Sequence, residues 1–174
     1  MGKKVLLTVL AVMMMSGSLF AAKTSTTTVT LTTAQKAALL FMYQEEKVAR
    51  DVYITLGKKY PSATTFANIA VSEQSHTDSV EKLCIKYKVD ISKVNESSVG
   101  NFVLPELQSL YDTLVIQGSV SLTEGLKVGV AIEEKDIADI MTYAVGMPSD
   151  VQTTFQNLLN GSYSHLDAFN NALK

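Results

Sequence analysis

The sequence has few of the residues that cross-link or interrupt a chain. It contains one cysteine, no tryptophan and three prolines in 174 residues. Because a single cysteine cannot form a disulfide within its own chain, the fold must be held together by packing or by metal. Cys84 lies between Leu83 and Ile85, and we interpret it as a buried apolar thiol.

Charged residues are also scarce, and basic residues form no cluster. Only 18% of the residues are charged, 47% are hydrophobic, and the formal net charge is −2. The lack of a basic patch argues against nucleic acid as a partner. No repeat of solenoid period is visible, and the length and composition suit one compact domain with a sizeable core.

The first 22 residues have the layout of a secretory signal peptide. Lys3 and Lys4 precede an apolar run over residues 5–15, and small residues follow as far as Ala22. The alternative is an uncleaved membrane anchor, but the run is shorter than the about 20 residues that a span needs. We therefore predict export to the periplasm or the extracellular space, with membrane contact only through this segment if it is not removed.

The chain after the signal segment is predicted to be a tether followed by one helical domain. Residues 23–33 are rich in threonine and lack apolar periodicity, which is typical of a tether. Removing residues 1–22 leaves 13 basic and 17 acidic residues, so the net charge becomes −4. Residues 34–174 then carry the periodic pattern of helices.

Four long helices and one short helix are predicted in this domain. A crossover of roughly thirty residues separates the first two long helices from the last two and carries the short helix. One long crossover is the connectivity of ferritin-like four-helix bundles. The first helix is predicted over residues 34–58 with Thr33 as its N-cap, and the second runs from Thr64 or Thr65 to Lys86. The short helix spans Pro105 to Gly118. The third long helix begins at a capping box at Ser121 and ends near residue 145, and the last is capped by Ser149 with Gln152.

Each long helix has an apolar stripe with a polar interruption at its centre. Positions three apart share a helix face, and every interruption lies roughly 10 to 16 residues into its helix, so all four are predicted to meet in one layer. Four buried carboxylates repel one another unless they are neutralised, and two divalent cations would carry the required charge. An oxygen-rich donor set favours iron or manganese, with zinc possible. The predicted metal ligands are Glu46, Glu73, His76, Glu133, Asp136 and His165.

Two other interpretations of these residues remain open from the sequence. If the stripes are rotated by one residue, Glu46, Glu133 and Asp136 become charges on a solvated helix face, although Lys127 would then turn inward. Alternatively, the residues form a hydrogen-bonded polar layer that sets helix register without metal. Arg50 and its neighbour Asp51 are interpreted as a pair on the surface or behind the ligands.

Four segments of the sequence are informative together: EEKVARDVY at residues 45–53, NIAVSEQSHTDSV at 68–80, LKVGVAIEEKDIADI at 126–140 and NLLNGSYSHLDAF at 157–169. They resemble the rubrerythrin-type branch of the ferritin-like superfamily and, more closely, an uncharacterised family of ferritin-like prokaryotic proteins. The resemblance implies a di-iron carboxylate site. Glu46 would be the ligand of the first helix, Glu73 and His76 of the second, Glu133 and Asp136 of the third, and His165 of the fourth.

The sequence departs from rubrerythrins in ways that bear on function. Ser162 stands where rubrerythrins have the glutamate of a second Glu-x-x-His motif, and Asp136 is one methylene shorter than glutamate. The absence of a Cys-x-x-Cys pair means that electrons would come from an external donor.

The implied activities are reduction of O₂ or H₂O₂ and oxidation of Fe²⁺. Glu45 and Glu134 are candidates for carrying protons or incoming Fe²⁺. The alternatives are a non-catalytic iron-sequestration protein and a metal-free structural bundle, and any of these proteins could form an oligomer.

Overall fold

The computed structural model describes residues 29–174, and this part of the chain contains helices and no strand. The predicted signal peptide and residues 23–28 of the predicted tether lie outside the described residues. None of the helices within the described part is both long and apolar enough to span a membrane. The five helices are α1 (Thr33–Lys59), α2 (Thr64–Lys86), α3 (Pro105–Gly118), α4 (Leu122–Tyr143) and α5 (Ser149–Ala172).

Two helix starts differ from the sequence-based prediction. The N-cap of α1 is Thr32 rather than Thr33, and it forms a reciprocal capping box with Gln35. Leu31 is buried in the core, so the folded domain includes the last residues of the predicted tether. Ser149 is the first residue of α5 rather than its cap, and the Gln152 amide donates instead to the Met147 carbonyl.

The four long helices pack around a core that is divided in two. The helix α1 packs against α2 and α4, and α5 packs against the same two helices. One apolar cluster contains the start of α1, the end of α2, the end of α4 and the start of α5, and the second cluster contains the opposite ends. Every packed pair of long helices is therefore antiparallel.

The long crossover follows from these directions. Because α2 ends in the first cluster and α4 begins in the second, the chain between them must travel the length of the bundle. On the way it forms α3, which packs against α1 and α4. The crossover and α3 cover the outer side of α1, and every residue from 42 to 53 is buried in consequence.

Candidate metal centre

A polar layer separates the two apolar clusters at mid-height. The four polar interruptions predicted from the sequence all lie in this layer, and each is flanked along its helix by members of both clusters. Its members are all buried, and they are Glu46 of α1, Glu73 and His76 of α2, Glu133 and Asp136 of α4, and Ser162 and His165 of α5.

The burial of these acids decides between two registers of the helices. Glu46 and Glu133 are each 1% exposed and Asp136 is 5% exposed. Glu134, the neighbour of Glu133, is exposed. The rotated register, in which these acids would lie on a solvated face, is therefore wrong.

Glu73 lies at the middle of the layer, between the two histidines. Its Oε1 is 2.7 Å from Nδ1 of His165, and its Oε2 is 3.1 Å from Nδ1 of His76. One donor atom from each of these three residues falls within 4.8 Å of the other two, which is close enough for a shared metal ion. Because each carboxylate oxygen faces a different imidazole, Glu73 could contribute an oxygen to a metal ion on either side.

Glu46 and Glu133 lie on opposite sides of Glu73. Oε2 of Glu46 is 3.2 Å from Nδ1 of His76, and Oε2 of Glu133 is 3.6 Å from Nδ1 of His165. The hydroxyl of the buried Tyr53 donates a 2.6 Å hydrogen bond to Oε1 of Glu133 and so fixes that carboxylate. The layer thus contains two half-sites, each with one imidazole, one terminal carboxylate and a share of Glu73.

Asp136 is held one step further from the histidines. Its Oδ2 accepts a 2.5 Å hydrogen bond from Ser162, the residue at the place of the missing second glutamate. Burial, together with the charges of Glu46 and Glu73, raises the pKa of Asp136 well above its ordinary value. The Asp136 carboxylate therefore lies beside Ser162. A glutamate at position 162 would place its own carboxylate in this region.

Four donor atoms in the layer are buried and have no hydrogen-bond partner. They are Oε1 of Glu46, Oε2 of Glu73, Oδ1 of Asp136 and Nδ1 of His165. Nδ1 of His165 lies 2.7 Å from Oε1 of Glu73, but this contact lacks the alignment of a hydrogen bond. Leaving a buried polar atom without a partner costs about 1–3 kcal/mol. A pair of cations bound by these oxygens and nitrogens would satisfy all four atoms, so the residues fit a di-metal site.

Protons take the place of cations when no metal is bound. Burial alone would lower the pKa of His76, but contacts with Glu46 and Glu73 outweigh it and raise the pKa to about 11. The pKa of His165 is raised to about 9 against the effect of burial, through Glu133 and Glu73. The pKa of Glu73 is lowered, because the close contacts with the imidazoles of His165 and His76 outweigh the effect of burial. Contacts with the carboxylates therefore favour the imidazolium form of both histidines in the metal-free layer.

Two residues that support the histidines were missed by the sequence-based prediction. The Ser72 hydroxyl is 2.8 Å from Nε2 of His165, so it holds the ring with Nδ1 towards the carboxylates. Gly161 lies against the other histidine, and a Cβ at this position would be 2.5 Å from Nε2 of His76. A glycine inside a helical pattern is a signal of close packing, whereas nothing in the sequence marks Ser72.

Comparison with known proteins defines the family. A family profile for an uncharacterised protein domain, DUF2202, matches residues 35–174, so the chain belongs to this family of helical proteins. The chain is 42% identical over 132 residues to the uncharacterised protein MJ0754 of Methanocaldococcus jannaschii, covering 75% of this chain and 70% of that protein. The crystal structure of hypothetical protein MJ0754 from Methanococcus jannaschii is similar with a TM-score of 0.79 at 39% identity, covering 83% of this chain and 82% of that chain. Neither name states a function.

Proposed function

We propose that this protein is an exported, ferritin-like di-metal carboxylate protein whose centre binds two iron ions. The observation that carries the proposal is the set of buried, partnerless donor atoms contributed by α1, α2, α4 and α5 at one height. The antiparallel helix pairs joined by one long crossover support the ferritin-like assignment, because that connectivity is shared by ferritin-like di-iron proteins. Manganese suits the same oxygen-rich donors.

The two half-sites define which residues hold each ion. Glu46 and His76 would hold one ion, Glu133 and His165 would hold the other, and Glu73 would be shared between them. Asp136 supplies the carboxylate that Ser162 cannot, and the serine hydroxyl keeps it oriented. Six side chains from four helices would thereby act as ligands, with Tyr53, Ser72 and Ser162 orienting them.

The proposed reaction is a redox reaction at this centre. When bound, ferrous ions would supply electrons and Lewis acidity for the reduction of O₂ or H₂O₂, or would themselves be oxidised as substrate. The chain holds the ligands in place before the metal arrives, and it excludes bulk water because every proposed ligand is at least nine-tenths buried. The reductant must be external, because Cys84, the one cysteine of the sequence, is a buried thiol on α2.

Metal binding is the first test of the proposal. Metal-free protein titrated with Fe²⁺ without oxygen, or with Co²⁺ as a spectroscopic probe, is expected to bind two ions per chain. Glu73→Gln removes the shared carboxylate charge and is expected to abolish stoichiometric binding, whereas Glu134→Gln removes an equal charge from an exposed position and should bind like the wild type. A wild-type protein that binds no ion would leave a metal-free polar layer as the explanation of these residues.

Turnover is the second test, because it separates an enzyme from a sequestration protein. With an excess of reductant, an enzyme continues to consume O₂ or H₂O₂ after its bound iron has been oxidised once. A sequestration protein stops after one equivalent of oxidant for its bound iron. Continued consumption by the wild type, and its loss in Glu73→Gln, is the expected result.

The location of the protein is tested separately. The proposal of export rests on the basic start, the apolar run and the small residues of segment 1–22. Fractionation of cells that express the full chain, followed by N-terminal sequencing, is expected to find the protein outside the cytoplasm with its first residue near Lys23. A cytoplasmic protein that retains Met1 would contradict export.

A further inference from the structure

A row of carboxylates leads from the surface of α4 towards the polar layer. The side chain of Asp139 is 26% exposed, that of Glu45 is 7% exposed, and Asp136 is 5% exposed. Glu45 precedes Glu46 on α1, whereas Asp136 and Asp139 lie one turn apart on α4. The row therefore spans from solvent to a residue of the candidate centre itself.

The outer part of this row holds one positive charge. The Lys135 ammonium donates to both Glu45 and Asp139, and it lies 5.3 Å from the centre of the Phe41 ring. Two carboxylates and an aromatic face make a favourable environment for any cation. The side chain of Lys135 is 41% exposed, so its ammonium can leave for solvent when another cation replaces it.

The inner part of the row is a small cavity with Glu45 on one side. Its volume is about 230 Å³, and its lining consists of Glu45, Lys135 and Asp136 with the apolar residues Ala49, Leu110, Leu114, Ala131 and Ile132. Oε2 of Glu45 and Oδ1 of Asp136 are both buried and have no hydrogen-bond partner. Because most of the remaining lining is apolar, a free divalent ion could not cross this space without a large desolvation cost. An ion that stays bound to a carboxylate avoids that cost.

We propose that Glu45, with Asp139 and Lys135, forms a loading site that accepts divalent cations from solvent and delivers them to the metal centre. Lys135 fills the loading site until a metal ion displaces its ammonium, and the cavity gives the Glu45 side chain room to turn towards Asp136 with the ion attached. The inference rests on the proposed function, because it needs a metal centre to which the ions are delivered. Glu134, the other residue that the sequence suggested as a carrier, is exposed and lies outside this row.

The test is the rate at which metal-free protein takes up Co²⁺, measured by stopped-flow mixing through the visible absorption of the bound ion. Glu45→Gln is expected to load at least ten times more slowly than the wild type and still to reach two ions per chain. Asp139→Asn should slow loading by a smaller factor, since Asp139 only forms the outer end of the row. Lys135→Gln should load faster, because no ammonium then competes for the loading site.

The control is Glu134→Gln, which makes the same change of charge and should load at the wild-type rate. Equal rates for Glu45→Gln and the wild type would overturn the loading site and leave the metal centre intact. Final binding of fewer than two ions by Glu45→Gln would also overturn it, because Glu45 would then be a ligand. If Glu45→Gln does not fold, slower or unchanged loading by Lys135→Gln decides against the proposal. A wild-type protein that binds no Co²⁺ would refute the proposed function as well.

Discussion

Two clusters of buried charge lie on different sides of α1, and they differ in how their charges are balanced. The inner cluster is the polar layer of the candidate metal centre. The outer cluster consists of Lys47, Arg50, Asp51, Gln74 and Glu96, and it lies between α1, α2 and the crossover. Lys47 and Asp51 are completely buried, like Glu46 of the inner cluster.

The outer cluster is complete by itself. Asp51 accepts hydrogen bonds from Lys47, from Arg50 and from the backbone N–H of Gly100. Lys47 also donates to the carbonyls of Ser98 and Asn101. Both cations are paired, Lys47 with Asp51 and Arg50 with Asp51 and Glu96, so this cluster needs no ligand and attaches the crossover to α1.

The inner cluster is incomplete by the same criteria. Four carboxylates face two imidazoles, and donor atoms of Glu46, Glu73 and Asp136 lack partners. Burial of charge therefore does not by itself identify a functional site, because both clusters are buried. The proposal of a metal centre rests instead on the imbalance of charge in the inner cluster together with its partnerless donor atoms.

The largest effect of a single substitution on the stability of the metal-free protein is expected in the outer cluster. Asp51→Ala leaves two buried cations without their shared partner, which typically costs about 3–5 kcal/mol of unfolding free energy. Urea denaturation with and without metal measures it, and the loss should be the same in both conditions. Asp167→Ala, at an exposed position of α5, is the control and should change stability by less than about 0.5 kcal/mol. A loss below 1 kcal/mol for Asp51→Ala would show that the outer cluster contributes little to the fold.

The next effect is the stabilisation of the inner cluster by metal. At a free metal concentration one hundred times the Kd, each occupied site should raise the unfolding free energy by about 2.7 kcal/mol. Denaturation curves with metal and after chelation measure the difference. The gain should persist in Asp51→Ala, although that variant is less stable, and it should disappear in Glu73→Gln. A metal-dependent gain in Glu73→Gln equal to that of the wild type would place the ions elsewhere.

A smaller effect is expected from Ser72, which orients His165. Loss of a group that holds a metal-ligating histidine typically weakens metal binding about 10- to 100-fold. Ser72→Ala should therefore raise the Kd of one of the two ions by such a factor and leave the other nearly unchanged, as measured by metal titration. Ser75→Ala is the matched control, because its hydroxyl bonds only to the Val71 carbonyl of its own helix. Equal affinities in the two variants would mean that Ser72 does not position a ligand.

The last effect is the dependence of metal affinity on pH. The pKa of His76 is raised to about 11 and that of His165 to about 9, so both rings are protonated at neutral pH without metal. A metal ion that binds Nδ1 must displace one proton, and the raised pKa values of Glu46, Glu133 and Asp136 add protons that these ligands must also lose. Affinity should therefore rise at least about tenfold per pH unit for each ion between pH 6 and pH 8. Calorimetric titration in buffers of different ionisation enthalpy measures the released protons. Binding without proton release would show that the histidines are not ligands.

The inner cluster could be predicted from the sequence because it obeys helical periodicity. Glu73 and His76 lie three apart within an apolar stripe, and the interruptions of the other helices occur at matching depths. The same periodicity placed most helix limits within one or two residues of those in the structure. The helical periodicity of the apolar residues therefore predicted the polar layer, its position along the bundle and the acidic residues in it.

The outer cluster could not be predicted in the same way. Lys47, Arg50 and Asp51 look like a solvated helix face, and they are buried only because the crossover folds over them. The contact between Ser72 and His165 joins residues 93 positions apart, and it depends on the rotation of two helices that are not connected in sequence. Local pattern carries no information about contacts of this kind.

The most direct test of the account is the metal content of protein purified from its native compartment without a chelator. Elemental analysis of the wild type should find two transition-metal ions per chain, mainly iron, and Glu73→Gln prepared in parallel should contain fewer than one. A fully folded wild type with no bound metal, which also gains no stability from added Fe²⁺, would contradict the account and make the inner cluster a structural polar layer.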